Sequence, residues 1–163
     1  MDGLKHCFPP VTDARTRLLV LGSLPGEESL ARGQYYANPR NQFWRLIGEA
    51  IGADLTKLPY EERLDALLAA GVGLWDTIGS ATRRGSLDGA IRDPEANDLA
   101  DLAASLPNLR AIGFNGGKSA ALGTKHLADD PRLTLIRLPS SSPAFTLPFE
   151  SKAEQWRKLK SFL

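Results

Sequence analysis

Four short apolar segments recur along this chain with room for a helix between successive ones, and this spacing constrains the fold more than any other feature. The segments span residues 17–22, 72–75, 109–114 and 133–138. Apolar runs of this length favour strands that are buried on both faces, as in parallel sheets. Strands that alternate with helices in this way predict a parallel sheet covered by helices.

Between and after these segments the sequence has helical periodicity. Amphipathic patterns cover residues 43–51, 59–70, 97–106 and 118–127, and residues 151–163 predict a closing helix capped by Ser151. Together with the strands they predict a three-layer αβα sandwich with a central four-stranded parallel sheet. Ligands of such open sheets bind outside the carboxyl ends of the strands, so we expect functional residues directly after each strand.

Composition narrows the range of functions. Twenty Lys and Arg residues against nineteen Asp and Glu residues give a formal net charge of +1, so any nucleic-acid site must be local rather than spread over a basic domain. The 163 residues, 42% of them hydrophobic, are expected to form a single domain over residues 1–163.

Other compositional features concern location and cofactors. No apolar run approaches the roughly 18 residues that cross a bilayer, and the start of the chain lacks the apolar core of a signal peptide. Cys7 is the one cysteine and His6 and His126 are the two histidines, which leaves little for a closed zinc site. We therefore expect a monomeric cytoplasmic protein that works without a metal, a cofactor or a membrane.

The segment after the first predicted strand is rich in glycine, rings and amides. A loop of sequence Gly22-Ser23-Leu24-Pro25-Gly26 is followed, at residues 34–44, by QYYANPRNQFW. Glycines let a ligand approach the main chain, and tyrosine faces can stack on a nucleobase. Alternatively, the glycines only form turns and the tyrosines fill the edge of the sheet.

This segment resembles the first motif of the uracil-DNA glycosylase superfamily, and most closely its hypoxanthine-DNA (deoxyinosine) glycosylase branch. The string LPSSSPA at residues 138–144 resembles the second motif, a loop that grips the DNA backbone. The strings GVGLWD at 71–76, GSLD at 85–88 and FNGG at 114–117 are also similar to this branch. The resemblance implies an enzyme that binds DNA and cleaves the bond between deoxyribose and a damaged base.

Base excision requires that the nucleotide is flipped out, the base is gripped, a water is oriented and the departing base is stabilised. The resemblance places Tyr36 at the base-stacking position, and we expect the loop around it to contact the base. That loop comprises Gly22, Ser23, Leu24, Pro25 and Gly26.

Catalysis is expected at Asn41. Many superfamily members have Asn or Asp where this chain has Leu24, and an aliphatic side chain cannot orient a water. In the hypoxanthine branch the Asn of the Pro-Arg-Asn-x-Phe-Trp run is implicated instead, and that residue is Asn41. Its amide could donate to the leaving base or accept from a water. The alternative is that Asn41 only caps the helix that begins near Gln42.

Asp76 follows the second predicted strand, where uracil-specific relatives carry an Asn that reads the pyrimidine edge. An ionised carboxylate only accepts hydrogen bonds, so it could accept from N1–H of hypoxanthine but would face the lone pair on N1 of adenine. The alternative is that Asp76 caps a helix from Thr77 onward.

The second motif is expected to bind DNA backbone. Hydroxyl and main-chain donors here could hold phosphates without reading sequence, although a plain turn is an alternative. The expected contacts are Pro139, Ser140, Ser141 and Ser142, together with Arg40. Further cations near predicted loop ends are candidates for a phosphate track: Arg32, Arg83, Arg84, Lys118 and Lys152.

The sequence thus predicts a monofunctional DNA glycosylase that removes hypoxanthine. Two alternatives remain open at this point. One is excision of uracil or mismatched thymine by the same fold, and the other is a DNA-binding relative that lost water activation when Leu24 entered the first motif.

Overall fold

The computed structural model describes residues 3–163 and contains two sheets. The strands are β1 (Leu4–His6), β2 (Leu18–Gly22), β3 (Val72–Asp76), β4 (Ile78–Thr82), β5 (Arg92–Ala96), β6 (Ala111–Asn115) and β7 (Thr134–Leu138). The α-helices are α1 (Glu27–Arg32), α2 (Phe43–Ile51), α3 (Tyr60–Ala70), α4 (Leu99–Ser105), α5 (Gly117–Leu127) and α6 (Phe149–Trp156). Short 3₁₀ helices cover Leu55–Lys57, Asp88–Ala90 and Arg157–Phe162.

The central sheet confirms the predicted αβα sandwich. Its four strands are parallel in the order β3-β2-β6-β7. Alternate residues of β2 enter different cores: Leu18 and Val20 pack with α2, α3 and α6, whereas Leu19 and Leu21 pack with α4 and α5. Strands β2 and β6 are buried at every position and therefore appear in the sequence as continuous apolar runs, whereas the edge strand β7 was located from a run that is only partly buried.

A second sheet was not predicted. It is antiparallel in the order β1-β4-β5, and β4 follows β3 after the single residue Thr77. The main-chain N–H groups of Thr77 and Ile78 donate to the carbonyl oxygens of Gly22 and Ser23, at 2.8 and 3.0 Å. These hydrogen bonds attach the second sheet to the carboxyl end of β2, beside the predicted crevice.

Two local predictions are wrong. Ser151 caps no helix, because α6 begins at Phe149 after Pro148 and Ser151 is its third residue. Pro148 occupies the N-cap position, and its missing N–H costs nothing at a helix start, where the first N–H groups have no partner within the helix. The helical turns after Trp156 are 3₁₀ rather than α. Within residues 3–163 the longest α-helices have 11 residues, and none is long and apolar enough to cross a membrane.

Candidate active site

A cavity of about 1170 Å³ lies at the carboxyl ends of the parallel strands, where the fold predicts a ligand. Almost every predicted site residue lines it: Gly22, Ser23, Leu24, Pro25, Gly26, Tyr36, Arg40, Asn41, Asp76, Ser140, Ser141 and Ser142. Pro139 lies behind this wall, where its carbonyl accepts a hydrogen bond from Trp156 Nε1 at 3.0 Å. The volume is sufficient for a nucleotide.

One face of the Tyr36 ring is packed against another aromatic ring. It stacks on Phe43 with a centroid separation of 3.9 Å and an interplanar angle of 16°. Its backbone is left-handed, with φ of 54°, which is costly for a residue other than glycine and indicates that the surrounding contacts impose it. Tyr35, in contrast, is 4% exposed and donates to the Pro9 carbonyl, so it belongs to the core.

The side chain of Asn41 has one end fixed. Its Oδ1 accepts from the Phe43 N–H at 3.0 Å, within the first turn of α2. The N-cap residue itself is Gln42, whose side chain makes no capping hydrogen bond. Because a backbone N–H must meet an oxygen, this contact assigns the amide orientation and leaves Nδ2 as the group that can reach a ligand. Asn41 thus lines the cavity and also supports the start of α2.

Asp76 is 3% exposed and ends β3 beside Gly22. A Cβ at position 22 would lie 2.6 Å from Asp76 Oδ1 and 3.0 Å from Tyr36 Oη, so only glycine fits here. Asp76 Oδ2 is buried and has no hydrogen-bond partner among residues 3–163. Thr77 leads into β4, so the alternative that Asp76 caps a helix is wrong.

The environment of Asp76 opposes its ionisation. Burial, together with the charge of Asp88, raises the pKa of Asp76 to about 7, although the charge of Arg83 acts in the opposite direction. Such a carboxyl in a cavity is a candidate for ligand contact, because a structural carboxylate normally has its hydrogen bonds satisfied.

Sequence reasoning did not assign a role to Asn115, which the structure brings into the cavity. Asn115 ends β6 and is 7% exposed. It donates to Ser141 Oγ at 2.9 Å and accepts from the Ser141 N–H at 2.9 Å, and its Nδ2 also lies 3.4 Å from Tyr36 Oη. The rule that ligands gather after strand ends would have identified it, since Asn115 is the last residue of the third apolar segment's strand.

The second motif is built mainly from internal contacts. Ser141 is 1% exposed and its Oγ accepts from Asn115 Nδ2, so burial rather than a lack of a free donor limits its hydroxyl as the expected phosphate contact. The Ser141 carbonyl accepts from the Gln42 N–H at 3.0 Å, which joins the two motifs across the cavity. Ser140 and Ser142 are half-buried and remain at the cavity wall.

Two of the candidate phosphate-binding cations are ruled out. Arg83 is 2% exposed and donates from Nη2 to the Pro25 carbonyl, and Lys152 is 1% exposed and donates to the Ser142 carbonyl at 3.2 Å. Both therefore support cavity loops from behind. Arg40 is exposed at the mouth of the cavity and stays a candidate.

Residues outside the first and second motifs also form the mouth of the cavity. The connection from β4 to β5 contributes Ser86, Leu87 and Asp88, and Phe145 follows the second motif. Leu87 is 60% exposed and Phe145 45% exposed, which is unusual for side chains this apolar.

Comparison with known proteins agrees with this architecture. The sequence profile of the Uracil DNA glycosylase superfamily matches residues 9–161. The chain is 47% identical over 153 residues to a Hypoxanthine DNA glycosylase of Methanosarcina acetivorans, covering 94% of this chain and 96% of that protein. It is also 47% identical over 115 residues to a Hypoxanthine DNA glycosylase of Methanosarcina barkeri, covering 71% of this chain and 73% of the relative.

A solved structure extends the likeness to three dimensions. The solution NMR structure of a proposed uracil DNA glycosylase from Methanosarcina acetivorans superposes with a TM-score of 0.87 at 39% identity, covering 98% of this chain and 99% of that one. The profile match spans both motifs that bound the cavity and the four parallel strands that carry them. On these grounds the chain belongs to the uracil DNA glycosylase superfamily.

Proposed function

We propose that this protein is a monofunctional DNA glycosylase that excises hypoxanthine from deaminated adenine sites and leaves an abasic site. Asp76 carries the base preference, because a buried carboxyl with an unpartnered oxygen lines a cavity of nucleotide size. The names of the two relatives at 47% identity support the same base.

Recognition would combine stacking with reading of the base edge. Tyr36, backed by Phe43, offers a ring face that binds any flipped base and contributes roughly 1–3 kcal/mol without selecting among bases. Ionised Asp76 would accept from N1–H of hypoxanthine, whereas adenine would oppose an acceptor with its own N1 lone pair. Selectivity against adenine therefore rests on Asp76.

Bond cleavage leaves electrons on the departing base, and donors must stabilise them. Asn41 would supply Nδ2–H, since its Oδ1 is occupied by the Phe43 N–H. The carbonyls of Gly22 and Ser23 are turned toward β4, so their trans peptide planes direct the N–H groups of Ser23 and Leu24 to the opposite side as further donors.

Backbone binding would be local. Arg40 at the mouth, with Ser140 and Ser142, would contact phosphates beside the flipped nucleotide, and each neutralised phosphate adds about −0.9 to the slope of log affinity against log salt concentration.

We also propose that residues 1–163 act as one domain, as a monomer and in the cytoplasm. A single unpaired cysteine supports a reducing compartment, and light scattering would test the monomer.

The deciding experiment incubates the protein with end-labelled duplexes that contain inosine, uracil, xanthine or a G·T mismatch, followed by alkaline cleavage at abasic sites. We expect inosine to be released fastest under single-turnover conditions. An Asn41→Ala preparation, purified in parallel, controls for contaminating glycosylases. Uracil release as fast as inosine release would show that the purine preference is wrong. Binding of inosine DNA with no release of any base would identify a silent DNA-binding relative.

A further inference from the structure

Arg83 is a buried cation whose charge the superfamily motifs do not explain. It follows β4, its side chain is 0% exposed, and its one hydrogen bond within residues 3–163 goes from Nη2 to the Pro25 carbonyl. Its Nε and Nη1 atoms are buried with no hydrogen-bond partner in that part of the chain. A buried guanidinium is costly unless carboxylates compensate its charge, so its position demands a partner.

Two carboxyls lie around the same Gly22–Gly26 loop: Asp88 is in contact with Arg83, and Asp76 lies beside Gly22. Asp88 Oδ1 is 4.0 Å from Arg83 Nη1 and accepts a hydrogen bond from Ser23 Oγ at 2.6 Å. Asp76 is sealed in the cavity wall, with Oδ2 unpartnered. Asp88 differs because its side chain is 41% exposed at the mouth, where water can stabilise its charge. The three groups form a cluster behind and beside the Gly22–Gly26 loop.

We propose that Arg83 and Asp88 are positioning residues with opposite effects on Asp76: Arg83 favours its carboxylate and Asp88 favours its neutral acid, so together they set which purine edge the cavity accepts. The proposal rests on the proposed function insofar as the base is hypoxanthine. It assigns roles to two residues that touch neither the scissile bond nor the stacking ring.

Charged side chains elsewhere in the cavity lining, Glu27, Glu28, Arg40 and Arg92, do not shift the pKa of Asp76, and the other titratable groups near it are uncharged near neutral pH. Tyr35 and Tyr36 precede α2, and burial raises the pKa of each hydroxyl. Cys7 follows β1, and burial likewise raises the pKa of its thiol. Burial lowers the pKa of Arg83, but an arginine stays protonated in proteins. Arg83 and Asp88 are therefore the charges that act on the pKa of Asp76.

The charge of Asp76 affects selectivity because only its neutral acid can donate to N1 of adenine, whereas both forms can accept from N1–H of hypoxanthine. The carboxylate only accepts, so it matches N1–H of hypoxanthine and opposes N1 of adenine. The neutral acid carries an O–H, which can donate to N1 of adenine while the other oxygen accepts from the exocyclic amino group. Arg83 thus supports discrimination, and losing its charge should weaken it.

The test titrates the Asp76 carboxyl carbon by ¹³C NMR in the free protein, with Asp76→Asn to assign the signal. Arg83→Met should raise the midpoint and Asp88→Asn should lower it, each by about one pH unit, as expected for a charge a few ångströms away. Arg83→Lys should restore a midpoint near that of the wild type. Asp129→Asn, an exposed carboxyl outside the cavity lining, is the matched control and should leave the midpoint unchanged.

A second readout measures selectivity. Binding of free hypoxanthine and free adenine is followed by chemical-shift titration at pH 8, where Arg83→Met should reduce the hypoxanthine-to-adenine affinity ratio toward the wild-type ratio at pH 6. Midpoints that move in the same direction, or do not move, overturn the proposal, as does an unchanged ratio. If Arg83→Met does not fold, Asp88→Asn decides alone, because Asn still accepts from Ser23 and a midpoint that fails to fall refutes the role.

These measurements need no DNA. A wild-type protein that cuts no inosine DNA but shows opposed midpoint shifts would refute the proposed function and leave the electrostatic roles in place. Inosine cleavage with unmoved midpoints would refute the electrostatic roles alone.

Discussion

Replacing Asp76 with asparagine should stabilise the fold, increasingly so as the pH rises. Burial raises the pKa of Asp76 to about 7 from an ordinary value of 3.8, so between these values the native state holds a proton that the unfolded state has lost. Stability must then fall as the pH rises through this window. At 1.36 kcal/mol per pH unit the loss at pH 8 is about 4 kcal/mol, and neutral asparagine avoids it.

Thermal unfolding of both proteins from pH 4 to pH 8 measures this. For a chain of this length about 4 kcal/mol corresponds to a Tm difference of roughly 8–16 °C at pH 8, whereas the pH-dependent part should vanish near pH 4. The hydrogen bonds of the asparagine itself change the Tm difference between the two proteins equally at every pH. The increase of this Tm difference with pH is therefore the quantity that tests the argument. Asp130→Asn is a control of opposite sign, because Arg132 lowers the pKa of Asp130 and that carboxylate stabilises the fold only at higher pH. A gap that stays constant across the range would refute the burial argument.

The remaining predictions concern the cavity. Asn41→Ala should slow single-turnover base release by about 10²–10³-fold. Asn41→Asp should be equally slow because aspartate lacks the N–H donor, but it should keep the wild-type Tm because it retains the acceptor for the Phe43 N–H. As a control, Asp98→Ala removes the cap of a distant helix and should lower Tm by only a few degrees while base release stays normal. Normal base release by Asn41→Asp would refute the catalytic role of Asn41. Tyr36→Ala should weaken binding of every accepted base to a similar degree, as measured by competition, and Tyr36→Phe should not. Gly22→Ala should abolish release, because its Cβ would meet Asp76, whereas Gly117→Ala, with open space around its Cβ, should behave as wild type.

The sequence predicted the strands and helices whose hydrophobic pattern fits only one type of secondary structure. Strands β2 and β6 are buried at every position, and α2 was located to the residue. The second sheet has no comparable pattern. Its strand β1 has three residues, and β5 is exposed at all five positions, contains a proline and pairs with β4 through register shifts. Such strands form only because tertiary contacts hold them, so local pattern cannot reveal them.

The site was predicted as far as the motifs reach. Tyr36, Asn41 and Asp76 line one cavity because parallel strands place their carboxyl ends together. The roles of Arg83 and Lys152 were predicted wrongly, because charge suggests exposure and only the fold shows that each donates to a loop carbonyl. The sequence matched the string GSLD at residues 85–88 but gave Asp88 no role, because its place at the cavity mouth depends on the second sheet.

The second sheet also explains why an aliphatic residue can occupy position 24. Leu24 is 6% exposed and packs with Ile78, Ala81 and Ile91, so its side chain anchors the first motif to that sheet. A polar side chain at position 24 could orient a water molecule, but it would lose this packing contact. The group that Asn41 leaves free at the cavity is Nδ2, and a group that can only donate suits a departing base anion better than it suits activation of a water. Catalysis in this chain should therefore depend chiefly on stabilising the leaving base, with release rates that follow how well each bound base carries negative charge.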